Sequence, residues 1–138
     1  MPFKAITPTL SVSAQLTEAD VAQAAREGFR AIIDNRPDGE ESGQPTAAEM
    51  RAMAASHGMS FAHVPTLGGA VTDEHVAQMA EAVARLNGPI LAYCRSGMRS
   101  ATLWALTQAG AQSTDSLIAT AADAGYDLSA LRARLDAR

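Results

Sequence analysis

The chain has 138 residues, 47% of them hydrophobic, with a formal net charge of −4 and a single cysteine. Such a composition excludes a disordered chain, and the length suffices for one domain, residues 1–138, with a proper core. The charge gives no reason to bind nucleic acid or an anionic membrane surface, no apolar run approaches the roughly 18 residues of a membrane span, and the N-terminus lacks a signal-peptide pattern. One cysteine permits no internal disulfide, which fits a reducing, cytoplasmic location.

In chain order, Ile6 to Ser13 reads as one or two short strands around Pro8. Thr17 is an N-cap followed by acids, and the helix it starts carries Val21, Ala24 and Ala25 on its apolar face and stops at Gly28. Phe29 to Asp34 reads as a strand, and it runs directly into the charged loop Asn35 to Pro45. A loop placed after a strand C-terminus lies where open α/β sheets bind ligands, so Arg36, Asp38 and Glu40 are candidate pocket-wall residues. Thr46 caps a second helix through His57, and Met59 to Val64 forms the next strand, whose His63 either points into the site or rests on a half-buried face.

Pro65 to Val71 is a Gly-Gly loop placed to form a further wall. Thr72 caps a helix in which Val76, Met79, Ala80, Val83 and Leu86 recur at core spacing. Ile90 to Tyr93 is a buried strand, and Ser100 to Gln108 continues as a helix containing Trp104, whose fluorescence is expected to report binding at the adjacent loop. Ser113 to Ala124 and Asp127 to Leu135 read as two C-terminal helices. Strands separated by helices predict an α/β fold with a central, mostly parallel sheet flanked by helices.

The chemistry concentrates in Cys94-Arg95-Ser96-Gly97-Met98-Arg99-Ser100, between the last strand and the helix. A strand, a tight polar loop and a helix N-terminus together make an anion cradle, because successive N–H groups converge and the dipole adds positive potential. The same field favours a thiolate, so Cys94 is the expected nucleophile. Arg99 is expected to hold the anion, and Arg95 to select anionic donors at the rim. Ser96, Gly97, Met98 and Ser100 complete the binding loop, with Ser96 or Ser100 donating to the sulfur and Gly97 avoiding a collision with ligand or a forbidden backbone angle. No metal-spaced cluster and no nucleotide motif is present, and no cofactor is expected.

This loop resembles that of rhodanese-type sulfurtransferases, where the cysteine carries a persulfide. It is also similar to a shortened cysteine phosphatase loop: phosphatases place five residues between cysteine and arginine, whereas four stand here, with Ser100 where the phosphatase arginine would be. Beyond the loop, LSVSAQL, NRPDGEE with QP, HVP, YCRSGMRS and AAxAGYDL, from about Leu10 to Leu128, resemble the phosphatase-like domain of the beta-lactamase-hydrolase-like proteins. The resemblance implies a dual-specificity-phosphatase-like fold with a rhodanese-like loop. Some members are fused to, or encoded near, a metal-dependent persulfide dioxygenase in sulfide detoxification, which makes such a dioxygenase an implied partner. Others are described as phosphatases.

The phosphatase pattern is broken at its general acid. Thr66 to Ala70 holds no acid where phosphatases carry an aspartate to protonate the leaving alkoxide, and Asp38 would substitute only by a coincidence of geometry. A sulfur donor releases an already stable anion and has no such need. The expected activity is therefore transfer of sulfane sulfur through a Cys94 persulfide, from a small anionic donor to an external thiol. The alternatives are phosphomonoester hydrolysis through a phosphocysteine and a non-catalytic module that binds an anion or persulfide.

Overall fold

In a computed structural model, which describes residues 3–138, five short strands make one sheet: β1 (Lys4–Thr7), β2 (Leu10–Ser13), β3 (Ala31–Asp34), β4 (Ser60–His63) and β5 (Ile90–Tyr93). Their order is β1-β2-β5-β3-β4, with β1 antiparallel to β2 and the remaining pairs parallel. The expected mostly parallel sheet is the one found. The stretch around Pro8 proves to be a hairpin, in which Thr7 Oγ1 accepts from the amides of Thr9 and Leu10.

The helices are α1 (Glu18–Arg26), α2 (Ala47–Ser56), α3 (Asp73–Arg85), α4 (Met98–Gln108), α5 (Thr114–Asp123) and α6 (Arg132–Asp136). Connections β2–α1–β3 and β3–α2–β4 carry the chain one way across the sheet, and β4–α3–β5 brings it back. Right-handed crossovers then place α1 and α2 on one face and α3 on the other. The core divides accordingly. Ile32, Leu91, Tyr93 and Phe61 pack with Val21, Ala24, Met50 and Ala54, whereas Ala31, Ile33, Ile90 and Ala92 pack with Val76, Met79, Ala82 and α4. Every residue from Ser100 to Leu106 of α4 is buried, the behaviour of a helix enclosed on all sides.

Thr17, Thr46 and Thr72 each close a capping box, with Asp20, Glu49 and His75 as reciprocal partners. Several boundaries differ from the sequence reading. Phe29 and Met59 lie outside the strands because their amides reach back to the carbonyls of Ala24 and Ala54, while Gly28 and Gly58 bond Ala25 and Ala55. These paired bonds close helix C-termini, so the ladders start only at Ala31 and Ser60. Helix α4 begins at Met98, two residues before Ser100. The segment expected as one helix from Asp127 is a 3₁₀ turn (Ser129–Leu131) followed by the short α6.

Candidate active site

Strands β3 and β5 are neighbours, yet the helices that follow them, α2 and α4, lie on opposite faces. The crevice between their C-terminal ends is thus a topological switch point, the place where such sheets bind ligands. Cys94 follows β5 and the 35–45 loop follows β3, so topology brings the two informative stretches together.

Cys94 is 1% exposed. Its backbone is anchored to β2 by a bond from its N–H to the Ser13 carbonyl (3.3 Å), and its Sγ accepts the N–H of Gly97 at 3.0 Å. Gly97 is the N-cap of α4, with φ +97° and no side-chain cap, so the helix terminus is left open to the loop. Only glycine takes that φ without strain, and a Cβ there would collide with the Tyr126 hydroxyl. Of the two reasons expected for this glycine the backbone angle is the one found, and the steric obstacle is another side chain of the protein instead of the ligand. Among the described residues, the amides of Arg95, Ser96 and Arg99 have no protein partner. With the helix dipole they form an anion cradle around the sulfur.

Arg99 lies over this cradle, held from two sides. Its Nη1 donates to Glu40 Oε2 and to the Thr66 carbonyl, both at 2.7 Å, and Nη2 donates to Glu40 Oε1 at 2.9 Å. Those bonds use three of the five guanidinium protons and leave Nε–H and one Nη2 proton unengaged. Gly68 packs beside this group: a Cβ there would lie 3.8 Å from Nε, an ordinary contact distance. Glu40, and next the Cys94 sulfur, hold Arg99 more firmly protonated than an ordinary arginine. Glu40 is in turn held below the usual carboxylate range, first by Arg99 and also by Arg36. The cleft in front of them, about 510 Å³, is lined by Glu40, Leu67, Gly68, Ala70, Arg95 and Arg99. The Gly-Gly loop thus supplies one wall, opposite Glu40.

The other expected site residues go elsewhere. Arg36 is buried as a strut under the loop: Nε donates to Glu40 (2.9 Å), Nη1 to Gln15 (2.9 Å) and Nη2 to Glu41 (3.3 Å). It positions the wall but does not line it. Asp38 is turned away, because its Oδ1 accepts the Ala47 N–H at 2.8 Å and supports the start of α2. His63 Nε2 is 2.9 Å from the Arg36 carbonyl and 3.8 Å from Asp34 Oδ2, bracing the β3–β4 edge outside the cleft. Ser100 is buried and donates to Asn35 Oδ1 (2.7 Å), tying α4 to the end of β3. Ser96 Oγ accepts the Met98 N–H at 3.3 Å. The donor to the sulfur is the Gly97 amide; the Ser100 hydroxyl donates to Asn35 instead, Ser96 Oγ serves as acceptor for the Met98 amide, and that amide is thereby spent within the loop. Arg95 is exposed at the rim and pairs with Glu41 at 3.1 Å. Trp104 lines a separate apolar cavity with Leu10, Met79 and Val83, two turns along α4 from Met98, so its fluorescence is a poor reporter of the loop.

Four contributors were missing from the sequence reading. Gln15 and Asn35 anchor Arg36 and Ser100, and Thr66 contributes only a carbonyl, which carries no side-chain signal. The fourth, Tyr126, reaches the loop from the far end of the chain. Below the site, burial pushes the Asp34 carboxyl up, opposed by the Arg36 amide and the Tyr93 hydroxyl. Among the described residues no group of three or more His, Cys, Asp or Glu is placed to hold a metal, and no helix is long and apolar enough to cross a membrane.

The Glu40 pairing has a pH signature. A carboxylate whose folded value is lowered stabilises the fold above its unfolded value, and loses that contribution as pH falls through the folded one. Glu40→Gln is expected to lower the thermal midpoint at about pH 7, and the gap is expected to shrink steadily as the pH falls below the ordinary glutamate value of about 4.3. Melting curves of the two proteins across that range check this. A gap that persists undiminished in acid would show that the pairing is not ionic.

Comparison with known proteins agrees with the geometry. Residues 2–111 match the family model described as the phosphatase-like domain of beta-lactamase hydrolase-like protein. A beta-lactamase hydrolase-like protein of Agrobacterium fabrum is 34% identical over 104 residues, 75% of this chain but 24% of that protein, so the chain spans about a quarter of the relative's length. The crystal structure of a candidate phosphatase from Neisseria meningitidis Z2491 superposes with a TM-score of 0.90 at 34% identity, covering 99% of this chain and 98% of that one. The catalytic core of a PP-IP phosphatase of S. cerevisiae shares the fold alone, with a TM-score of 0.72, 16% identity and coverage of 97% and 82%. The fold is that of the cysteine-dependent, dual-specificity-type phosphatases, and the chain belongs to the phosphatase-like domain family of the beta-lactamase hydrolase-like proteins.

Proposed function

We propose that this domain is a thiolate-nucleophile enzyme that moves sulfane sulfur from a small anionic donor, such as thiosulfate or glutathione persulfide, to an external thiol. The observation that carries the proposal is the state of Glu40. Among the described residues it is the one carboxyl lining the cleft, and Arg99 and Arg36 hold it ionised. A carboxylate fixed in that way has no proton to give a leaving alkoxide, so the acid step of phosphomonoester hydrolysis lacks a donor. Sulfur transfer proceeds without one.

In the first step Cys94 Sγ⁻ attacks the outer sulfur of thiosulfate. A bond forms between the two sulfurs, the donor S–S bond breaks with its electron pair, and sulfite leaves. The unpaired loop amides and the two open N–H groups of Arg99 hold the negative charge throughout. In the second step an external thiolate attacks the outer sulfur of the Cys94 persulfide, forms its own persulfide and returns Cys94 as thiolate. The burial of Cys94 favours small donors, and the single cysteine requires that the acceptor come from outside.

Phosphomonoester hydrolysis through a phosphocysteine is the second reading, and it is the one the family likeness and the Neisseria relative favour. Intact-mass measurement after incubation with thiosulfate, and separately with an aryl phosphate, decides between them. The expected result is a gain of one sulfur atom, removed by added thiol, with no gain from the phosphate. A phosphoryl adduct and no sulfur adduct would overturn the proposal in favour of hydrolysis.

A further inference from the structure

We propose that Tyr126 is a positioning residue for Cys94 that acts through a single peptide plane, an inference that rests on Cys94 being the nucleophile. The hydroxyl of Tyr126 donates to the carbonyl of Ser96 at 3.4 Å. The other side of that same peptide is the N–H of Gly97, which donates to Cys94 Sγ at 3.0 Å. In a trans peptide the two groups point in opposite directions, so one rigid plane connects the phenol to the sulfur. A donor on the carbonyl side fixes the orientation of the N–H and polarises it, strengthening its bond to a thiolate.

The placement of Tyr126 is itself built in. At the end of α5 the Gly125 N–H bonds the Ala122 carbonyl and the Tyr126 N–H bonds that of Ala121, both at 2.9 Å, closing the helix and fixing where the ring departs. The ring lies against Gly97, in space that any other residue there would fill. Burial, and then the Cys94 charge, push the phenol above its ordinary value, so at neutral pH it remains a donor. Tyr126 belongs to the AAxAGYDL stretch, beyond residue 111 where the family match ends. The nucleophile loop is therefore completed by a segment outside the matched region. The charged group facing the sulfur is Arg99 from α4, with Glu40 behind it, while Arg95 on the loop itself is exposed and paired with Glu41. None of these is altered by a change at Tyr126.

The test is Tyr126→Phe in the full chain, which removes only the hydroxyl, read by iodoacetamide alkylation of Cys94, unambiguous because the protein has one cysteine. At about pH 6 the alkylation rate is expected to fall about threefold, while at about pH 10, where thiols ionise fully, it stays unchanged, as does the thermal midpoint. A rate superimposable on wild type at both pH values, or an equal fall at both, overturns the inference and leaves the nucleophile reading intact. A wild-type alkylation rate that falls between about pH 10 and about pH 6 as steeply as that of free glutathione would instead overturn the thiolate reading on which it rests.

Discussion

With cyanide supplied as a surrogate acceptor that takes the outer persulfide sulfur as thiocyanate and returns the Cys94 thiolate, Cys94→Ser is expected to cut thiosulfate-dependent thiocyanate formation by at least about a thousandfold, to the level of buffer alone, because removal of a covalent nucleophile leaves only residual binding effects. The geometry makes this a clean test. A serine hydroxyl occupies nearly the same volume and can accept the same Gly97 N–H, so the loop keeps its shape. Serine would need a general base to become a nucleophile, and none is aimed at residue 94: His63 is engaged at the Arg36 carbonyl and Asp34, and Glu40 is bound by Arg99. Buried hydroxyls cost about 1 kcal/mol when satisfied imperfectly, so the variant should still melt as a folded protein. Initial rates of thiocyanate formation, with a melting curve as control, make the comparison. Turnover retained within tenfold would remove Cys94 from sulfur transfer.

The parts of this molecule that could be read from sequence are those set by neighbours within a few residues. Thr17, Thr46 and Thr72 were recognisable as caps because a capping box closes within three positions. The Cys94 loop could be read for the same reason: strand, glycine and helix start lie side by side in the chain. Charged residues between Arg36 and Glu40 were legible only as a group. Which of them would face the cleft depends on the turn they form and on distant partners. Glu40 is drawn inward by Arg99, 59 positions away, while Asp38 is captured by the Ala47 amide at the start of α2. His63 was ambiguous because a strand residue shows which face it occupies but not which carbonyl its ring will meet.

The strand starts at Phe29 and Met59 failed for a different reason. Both are apolar and adjacent to real strands, so hydrophobic pattern alone extends the strands over them. Backbone bonds claimed first by the preceding helix ends decide otherwise. Tyr126 shows the limit most plainly. Its motif was visible, but nothing local says that its hydroxyl will meet the Ser96 carbonyl 30 residues earlier.

The role of Arg99 separates charge from shape. Arg99→Lys keeps one positive charge near the sulfur and discards the planar fork that bonds both Glu40 oxygens and the Thr66 carbonyl. If catalysis needed only a cation, lysine would retain most of the rate. The structure argues otherwise, since Glu40 and Thr66 together consume three guanidinium protons and thereby fix the direction of the two that remain. An ammonium pulled toward Glu40 has no rigid frame with which to aim its protons at a departing sulfite. The expected result is a loss of about a hundredfold in kcat/KM for thiosulfate, comparable with removing one donor from an oxyanion hole, and a larger loss for Arg99→Met. Glu40→Ala in the wild-type background should then lose activity too, because it frees the fork to rotate although it leaves the cation in place. An Arg99→Lys variant working within about threefold of wild type would mean that charge alone suffices, and that the Glu40–Arg99–Thr66 frame serves stability and not the reaction.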